Sequence, residues 1–173
     1  MPSAFRLNDP PDPPAGRPAT VRIFLLTCRR PQMLPRALAS LRAQTFAGWV
    51  CELHNDAPED EEPGRLAAAL GDPRIRLHQH SHNWGPVATF NHVFRGAPEP
   101  YASLLADDNW WEPTFLAETL AALSAHPDAA LAWANMRLWR EEADGTCTDT
   151  WTAIWSGDTA DRPGVIPLPR VLQ

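Results

Sequence analysis

The chain has 173 residues, enough for one domain with a substantial core, and its 44% apolar and 21% charged residues read as soluble and globular. A formal net charge of −6 gives no basic footprint for sequence-independent nucleic-acid binding, so no nucleic-acid partner is expected. All 15 cationic residues are arginine and none is lysine, which excludes Schiff-base chemistry and a Walker A phosphate loop.

Residues 1–20 read as a leader: the stretch NDPPDPPAGRP, residues 8–18, holds five prolines and should be extended and unpacked. VRIFLLT, residues 21–27, is a nearly continuous apolar run rich in strand formers, as expected of a strand covered on both faces. PQMLPRALASLRAQT follows, with Leu34, Leu38 and Leu41 spaced to form one apolar helical stripe. WVCELHN, residues 49–55, alternates into a second strand and runs into the acidic loop DAPEDEEP. A short helix is predicted around Arg65 to Leu70, closed by Gly71.

RIRLHQH, residues 74–80, reads as a third, more exposed strand. After SHNWGP, the pattern predicts a helix from Pro86 with Val87, Phe90, Asn91 and Phe94 along its apolar face. YASLLA, residues 101–106, is the fourth strand and ends in ADDNWWEP. Thr114 to Ala125 reads as another amphipathic helix, and AALAWANMRLW, residues 129–139, as a fifth strand. This alternation argues for an α/β fold, a mostly parallel sheet flanked by helices, with ligands at the carboxyl ends of the strands.

Polar clusters follow four of those strand ends: Thr27 with Arg29 and Arg30, Asn55 with Asp56, His82 with Asn83, and Asp107 with Asp108. Each alone is an ordinary turn or cap; their recurrence places them on one sheet edge. Adjacent carboxylates repel, and a hard divalent cation with oxygen ligands relieves the repulsion, so Asp107 and Asp108 point to Mg²⁺ or Mn²⁺ and a phosphorylated ligand. The arginines offer planar forks for phosphate. His78, His80 and His82 alternate like a metal site on a strand, but no carboxylate or thiolate of matching spacing completes it.

No nucleophile elbow is present, and the widely spaced Cys28, Cys51 and Cys147 form no CxxC pair and read as reduced thiols. No run approaches the roughly 20 apolar residues of a membrane span, so cytoplasmic residence is expected, with membrane association left open. Of the eight tryptophans, Trp84 and Trp110 lie beside the site loops, where a flat ring could stack on a base or sugar.

Taken together and in order, TCRRPQML, SLRAQTF, NDAPED, NWGPVATFN and ADDNWWEP resemble the motifs of a family 2 glycosyltransferase of the Rossmann-like GT-A fold, over roughly residues 21–139. The resemblance implies a nucleotide-sugar-binding domain over residues 21–140. Thr27, Arg29, Asp56, Asn83, Gly85, Asn91 and Asp107 would meet the nucleotide, with Asp107 near the ribose, and Asp108 would ligate Mn²⁺ or Mg²⁺. It also implies transfer of a sugar from a nucleotide-diphosphate donor to an acceptor hydroxyl, with inversion. The acceptor class, whether saccharide, lipid or protein, is left open.

Three positions depart from the family pattern: Arg29 where Asn is common, Asn55 for the first Asp of the second motif, and Ala106 for the first Asp of D-x-D. Residues 141–173 read as a partial acceptor-side segment in which Asp149, Asp158 and Asp161 have no recognisable context, as though the catalytic region were truncated at the C-terminus. The alternative reading is a non-catalytic nucleotide-sugar-binding or assembly module, because no catalytic base is recognisable. A nucleotidyltransferase fits less well, since TCRRPQML lacks a glycine-rich loop.

Overall fold

A computed structural model describes residues 20–93 and 97–154. The proline-rich stretch 8–18, Phe94, Asp158 and Asp161 lie outside the described residues. The elements run β1 (Val21–Thr27), α1 (Leu34–Arg42), β2 (Trp49–Asn55), α2 (Glu62–Leu70), β3 (Ile75–Gln79), α3 (Pro86–Val93), β4 (Tyr101–Ala106), α4 (Phe115–Ala125), β5 (Arg137–Glu141) and β6 (Cys147–Ala153). The chain divides into two compact units between Leu116 and Ala117.

In the first unit, β1 to β4 form one sheet in the order β3-β2-β1-β4, with every pairing parallel. The chain steps outward from β1 to β3 and then returns to the other side of β1. Right-handed crossovers therefore send α1 and α2 to one face and α3 to the other. Leu77 lies against Gly64 of α2, while His54, of opposite parity, meets the ring of His92 on α3. The reversal of direction opens a crevice beyond the carboxyl ends of β1 and β4.

Strand periodicity gives the two faces different chemistry. One face carries Val21, Ile23 and Leu25 of β1, Trp49, Cys51 and Leu53 of β2 and Leu105 of β4, all buried. The expected stripe of α1, Leu34, Leu38 and Leu41, is buried as well. The other face carries Arg22, Glu52, His54 and His78, and there Arg22 pairs with both Glu52 and Glu99. Gly71 closes α2 at φ 60°, the left-handed conformation that glycine adopts without steric cost.

Gln44, in SLRAQTF, ties α1 to the segment after β4. Its Nε2 donates to the carbonyls of Ser40 and Glu112, and its Oε1 accepts from the N–H of Leu116. The neighbouring Thr45 N–H donates to the Pro113 carbonyl at 2.8 Å. A buried amide that satisfies three backbone groups holds the WWEP segment at a set distance from the sheet.

Two expectations are corrected. The predicted strand over 129–139 does not join the parallel sheet. Residues 129–136 are irregular, and Arg137–Glu141 pairs antiparallel with Cys147–Ala153. The cause is local: Asp144 and Gly145 form a tight turn, with Gly145 at φ 79° and Glu142 N–H donating to the Thr146 carbonyl, and a hairpin partner lies only a few residues away. The predicted face of α3 is also wrong. Val87 and Asn91 are exposed, whereas Thr89 and Val93 are buried one turn apart, and Thr89 Oγ1 donates back to the Gly85 carbonyl. Among the described residues no helix is long and apolar enough to cross a membrane.

Gln44→Leu is expected to destabilise the fold by about 3 kcal/mol, because it orphans the Glu112 carbonyl and the Leu116 N–H. Thr45→Val, which removes only an exposed 3.2 Å hydroxyl bond to Pro113, should cost less than about 1 kcal/mol. Urea unfolding of the two variants checks the difference.

Candidate functional site

The backbone ladder continues past the strand ends and sets the site in a row. His80 N–H donates to the Asn55 carbonyl, Asp56 N–H to that of Thr27, and Asp107 N–H to that of Leu26. The end of β3, the Asn55-Asp56 pair, Thr27 and Asp107 are thereby brought side by side on one edge, as the recurring clusters predicted.

Asp107 is 0% exposed. Its Oδ2 accepts from Thr27 Oγ1 at 2.7 Å, so the last residue of β1 holds the first residue after β4. Its Oδ1 forms an ion pair with Arg30 Nη2 at 2.8 Å that lacks hydrogen-bond alignment. Burial pushes the Asp107 carboxyl above the usual carboxylate range, and Asp108 adds to the push while Thr27, Arg30 and the Cys28 backbone N–H oppose it. Asp108, 42% exposed, presents Oδ2 to Arg30 Nη1 at 2.7 Å. One guanidinium therefore neutralises both adjacent carboxylates. A buried carboxylate beside a second and more open one, both drawn to a single positive group, is an oxygen donor set that suits a hard cation.

The second cluster is built on Asp56. Its Oδ1 accepts from Trp84 N–H at 2.7 Å and from His80 Nδ1 at 2.9 Å, and its Oδ2 accepts from Gly85 N–H at 2.9 Å. Burial alone would raise the Asp56 carboxyl, but the bonds from Trp84, His80 and Gly85 outweigh it and hold the group below its ordinary value. Asn83 Nδ2 donates to the Asp56 carbonyl at 2.8 Å, and Gly85 turns the loop at φ 76°. Asp56, Asn83 and Gly85 thus form one clamp on the loop entering α3. Asn91 sits on the exposed side of that helix, away from the buried Thr89.

The model of the family described as glycosyl transferase family 2 matches residues 23–155. The chain belongs to that family. It is 28% identical over 116 residues to the putative colanic acid biosynthesis glycosyl transferase WcaA of Escherichia coli, covering 66% of this chain and 42% of that protein. A crystal structure of S. aureus TarS 1-349 superposes with a TM-score of 0.56 at 16% identity, over 62% of this chain and 33% of that one. The mannosyltransferase PcManGT from Pyrobaculum calidifontis, solved with GDP-Man and Mn²⁺, gives 0.54 at 17% identity, over 63% of this chain and 33% of that one. The chain thus spans less than half the length of each, and the fold they share is the GT-A α/β fold.

In this family 2 domain one departure from the motif pattern, Asn55, has a physical reason. Asn55 is 0% exposed: its Nδ2 donates to the Asp60 carbonyl and to Gln79 Oε1, and its Oδ1 accepts from Ala57 N–H. An aspartate there would have no proton for either acceptor. Arg29 has φ 55°, a conformation that Asn tolerates better than most residues, and its side chain pairs with Glu59 where both groups are more than half exposed. It is Arg30 that reaches the carboxylates. Ala106 contributes no ligand; it ends β4 in register with Leu26.

The histidines are arranged differently from the alternating triad. His82 is exposed, and His54 from β2 takes its place beside His78 and His80. Among the described residues no group of His, Cys, Asp or Glu is arranged to hold a metal without help from other ligands. Trp84 stacks on His80 at 3.9 Å, and the Arg36 guanidinium lies 4.3 Å above the Trp110 ring. His54 and Gln44 were missed from sequence. The signal for His54 was present in its even spacing from Glu52 and its position two residues before Asp56.

Asn55→Asp should cost about 3 kcal/mol at pH 7, since it removes two buried donor bonds and adds a charge beside Asp56, and the loss should shrink as the pH falls. Urea titrations at two pH values check this. Burial lowers His54 from 6.5 to about 4. Between those values the unfolded chain binds the extra proton and the native chain does not, so stability is fully present above pH 6.5 and falls with pH toward 4, by up to about 3 kcal/mol. His54→Gln should flatten that slope in thermal unfolding followed across the window.

Proposed function

We propose that this domain binds a nucleoside-diphosphate sugar in the crevice between the ends of β1 and β4, and that it serves transfer of the sugar to an acceptor hydroxyl with inversion. The observation that carries the reading is the convergence of buried Asp107 and half-exposed Asp108 on one cation at that crevice. Family membership supports the transferase class, and the structures of TarS with UDP-GlcNAc and of PcManGT with GDP-Man and Mn²⁺ supply the ligand class.

In this reading Asp108 holds Mn²⁺ or Mg²⁺ and Asp107 lies toward the ribose, anchored by Thr27. The metal, when bound, supplies positive charge to the departing diphosphate. Arg30 pairs with the two carboxylates, and its planar fork also matches phosphate oxygens. Asp56, with Asn83 and Gly85, holds the loop expected to receive the base. Arg29 and Asn91 are proposed at the rim of the nucleotide site.

The segment from residue 141 onward is proposed as the start of the acceptor side. Within it Asp149 is engaged by Arg137 at 3.2 Å and by Trp151 N–H at 2.8 Å, which makes it a hairpin residue and a poor base.

Calorimetric titration with UDP and with GDP, with and without Mn²⁺, tests the reading. Wild type should bind one of them in a metal-dependent manner, and Asp108→Asn should weaken that binding at least about tenfold, the loss of one charge-assisted contact. Folded protein that binds neither with metal present, or an Asp108→Asn variant that binds as wild type does, would overturn it.

A further inference from the structure

Between the carboxylates of Asp56 and Glu52 runs a chain of two imidazoles. His80 Nδ1 lies 2.9 Å from Asp56 Oδ1, His80 Nε2 lies 3.1 Å from His54 Nδ1, and His54 Nε2 lies 3.3 Å from Glu52 Oε2. Each of these three contacts needs one proton on nitrogen. The longest and most solvent-open is the one to Glu52, whose other oxygen is already taken by Arg22.

An ionised carboxylate only accepts, so the shortest of the three contacts has one direction: His80 donates from Nδ1 to Asp56. On its other side His80 Nε2 and His54 Nδ1 share one proton. His54 faces His78 on β3 and His80 just beyond it, His92 on α3 and Phe24 on β1, and among the described residues Glu52 is the one carboxylate against it. His80 is itself clamped by the ring of Trp84.

We propose that His80, braced by His54, is a positioning residue that fixes the Asp56 carboxylate and, through it, the loop Asn83-Trp84-Gly85 that receives the base of the donor. The proposal rests on the nucleotide-sugar reading above and adds to it a part that the family motifs do not contain. Without the His80 proton, Asp56 keeps only the two loop amides and is free to turn toward them, so the loop loses its tie to the end of β3.

Two substitutions separate the roles of the ring. His80→Phe keeps an aromatic face for Trp84 but removes both nitrogens, and His80→Asn keeps a donor near the position of Nδ1. In the full chain labelled with ¹⁵N, His80→Phe should reduce hydrogen-exchange protection of the Trp84 and Gly85 amides about tenfold and weaken Mn²⁺-dependent binding of UDP or GDP about tenfold, one charge-assisted bond in each case. His80→Asn should bring both back to within about threefold of wild type. The β1 amides in the same spectra report whether the sheet is intact. Should His80→Phe not fold, His54→Leu removes the ring nitrogen that faces His80 Nε2, together with the 3.3 Å contact to Glu52, and should lower the same two signals about threefold.

Unchanged amide protection in His80→Phe, or no recovery in His80→Asn, overturns the proposal. So does amide loss with nucleotide affinity unaltered, since the loop would then be ordered for some other purpose. Amide loss in a wild-type background that binds neither nucleotide would leave His80 as the positioning residue of Asp56 while overturning the donor reading.

Discussion

A carboxylate buried at the end of a parallel strand governs this domain. Asp107 has no exposed surface, and a charge so placed is costly unless its partners are held in place. Thr27 and Arg30 supply them, and both follow from β1 lying directly beside β4 in parallel register. The register also sets the site: Leu26 pairs with Ala106, so the residues that follow, Thr27 and Asp107, meet across the crevice. A slip of one residue would turn Asp107 toward the other face of the sheet. The site and the strand order are therefore a single physical requirement.

The two faces of the sheet divide the labour. The face carrying Ile23, Leu25, Cys51, Leu53 and Leu105 is apolar and fully buried, and it supplies the hydrophobic stabilisation. The opposite face holds Arg22, Glu52 and a cluster of histidines under α3, and its charges are satisfied in pairs. Polar chemistry is thus kept on the side from which the Asp56 clamp and the 82–85 loop are reached. Gln44 plays the corresponding role on the apolar side, fixing the segment after Asp108 through two backbone bonds, to Glu112 and Leu116.

The legible parts of the structure were those written in local period and punctuation. The four sheet strands, the stripe of α1, the Gly71 cap and the polar residues at each strand end could all be read directly. The misreadings have specific causes. AALAWANMRLW has a strand-like composition, but the Asp144-Gly145 turn gave its end a nearby antiparallel partner and kept it out of the sheet. Val87 and Asn91 fit a helical stripe on paper, yet the Thr89 back-bond to Gly85 and the burial of Val93 set the rotation of α3. The family pattern marked Asn55 and Arg29 as departures without explaining them. A buried donor requirement explains Asn55, whereas the left-handed backbone at position 29 explains why Asn is common there and leaves Arg29 without a structural explanation.

The sequence by itself determined the elements, their alternation, the motif order and the adjacency of Asp107 and Asp108, because these depend on neighbours a few residues apart. The tertiary structure decided which distant groups meet: Arg30 between the two carboxylates, Gln44 against Glu112, and His54 against His80. The physical reason is register. Side-chain partners separated by tens of residues are chosen by the hydrogen-bond ladder between parallel strands, which no local periodicity encodes. A histidine within an alternating run shows which face it occupies, and only the pairing of β2 with β3 shows that its ring nitrogen faces another histidine on the way to Asp56.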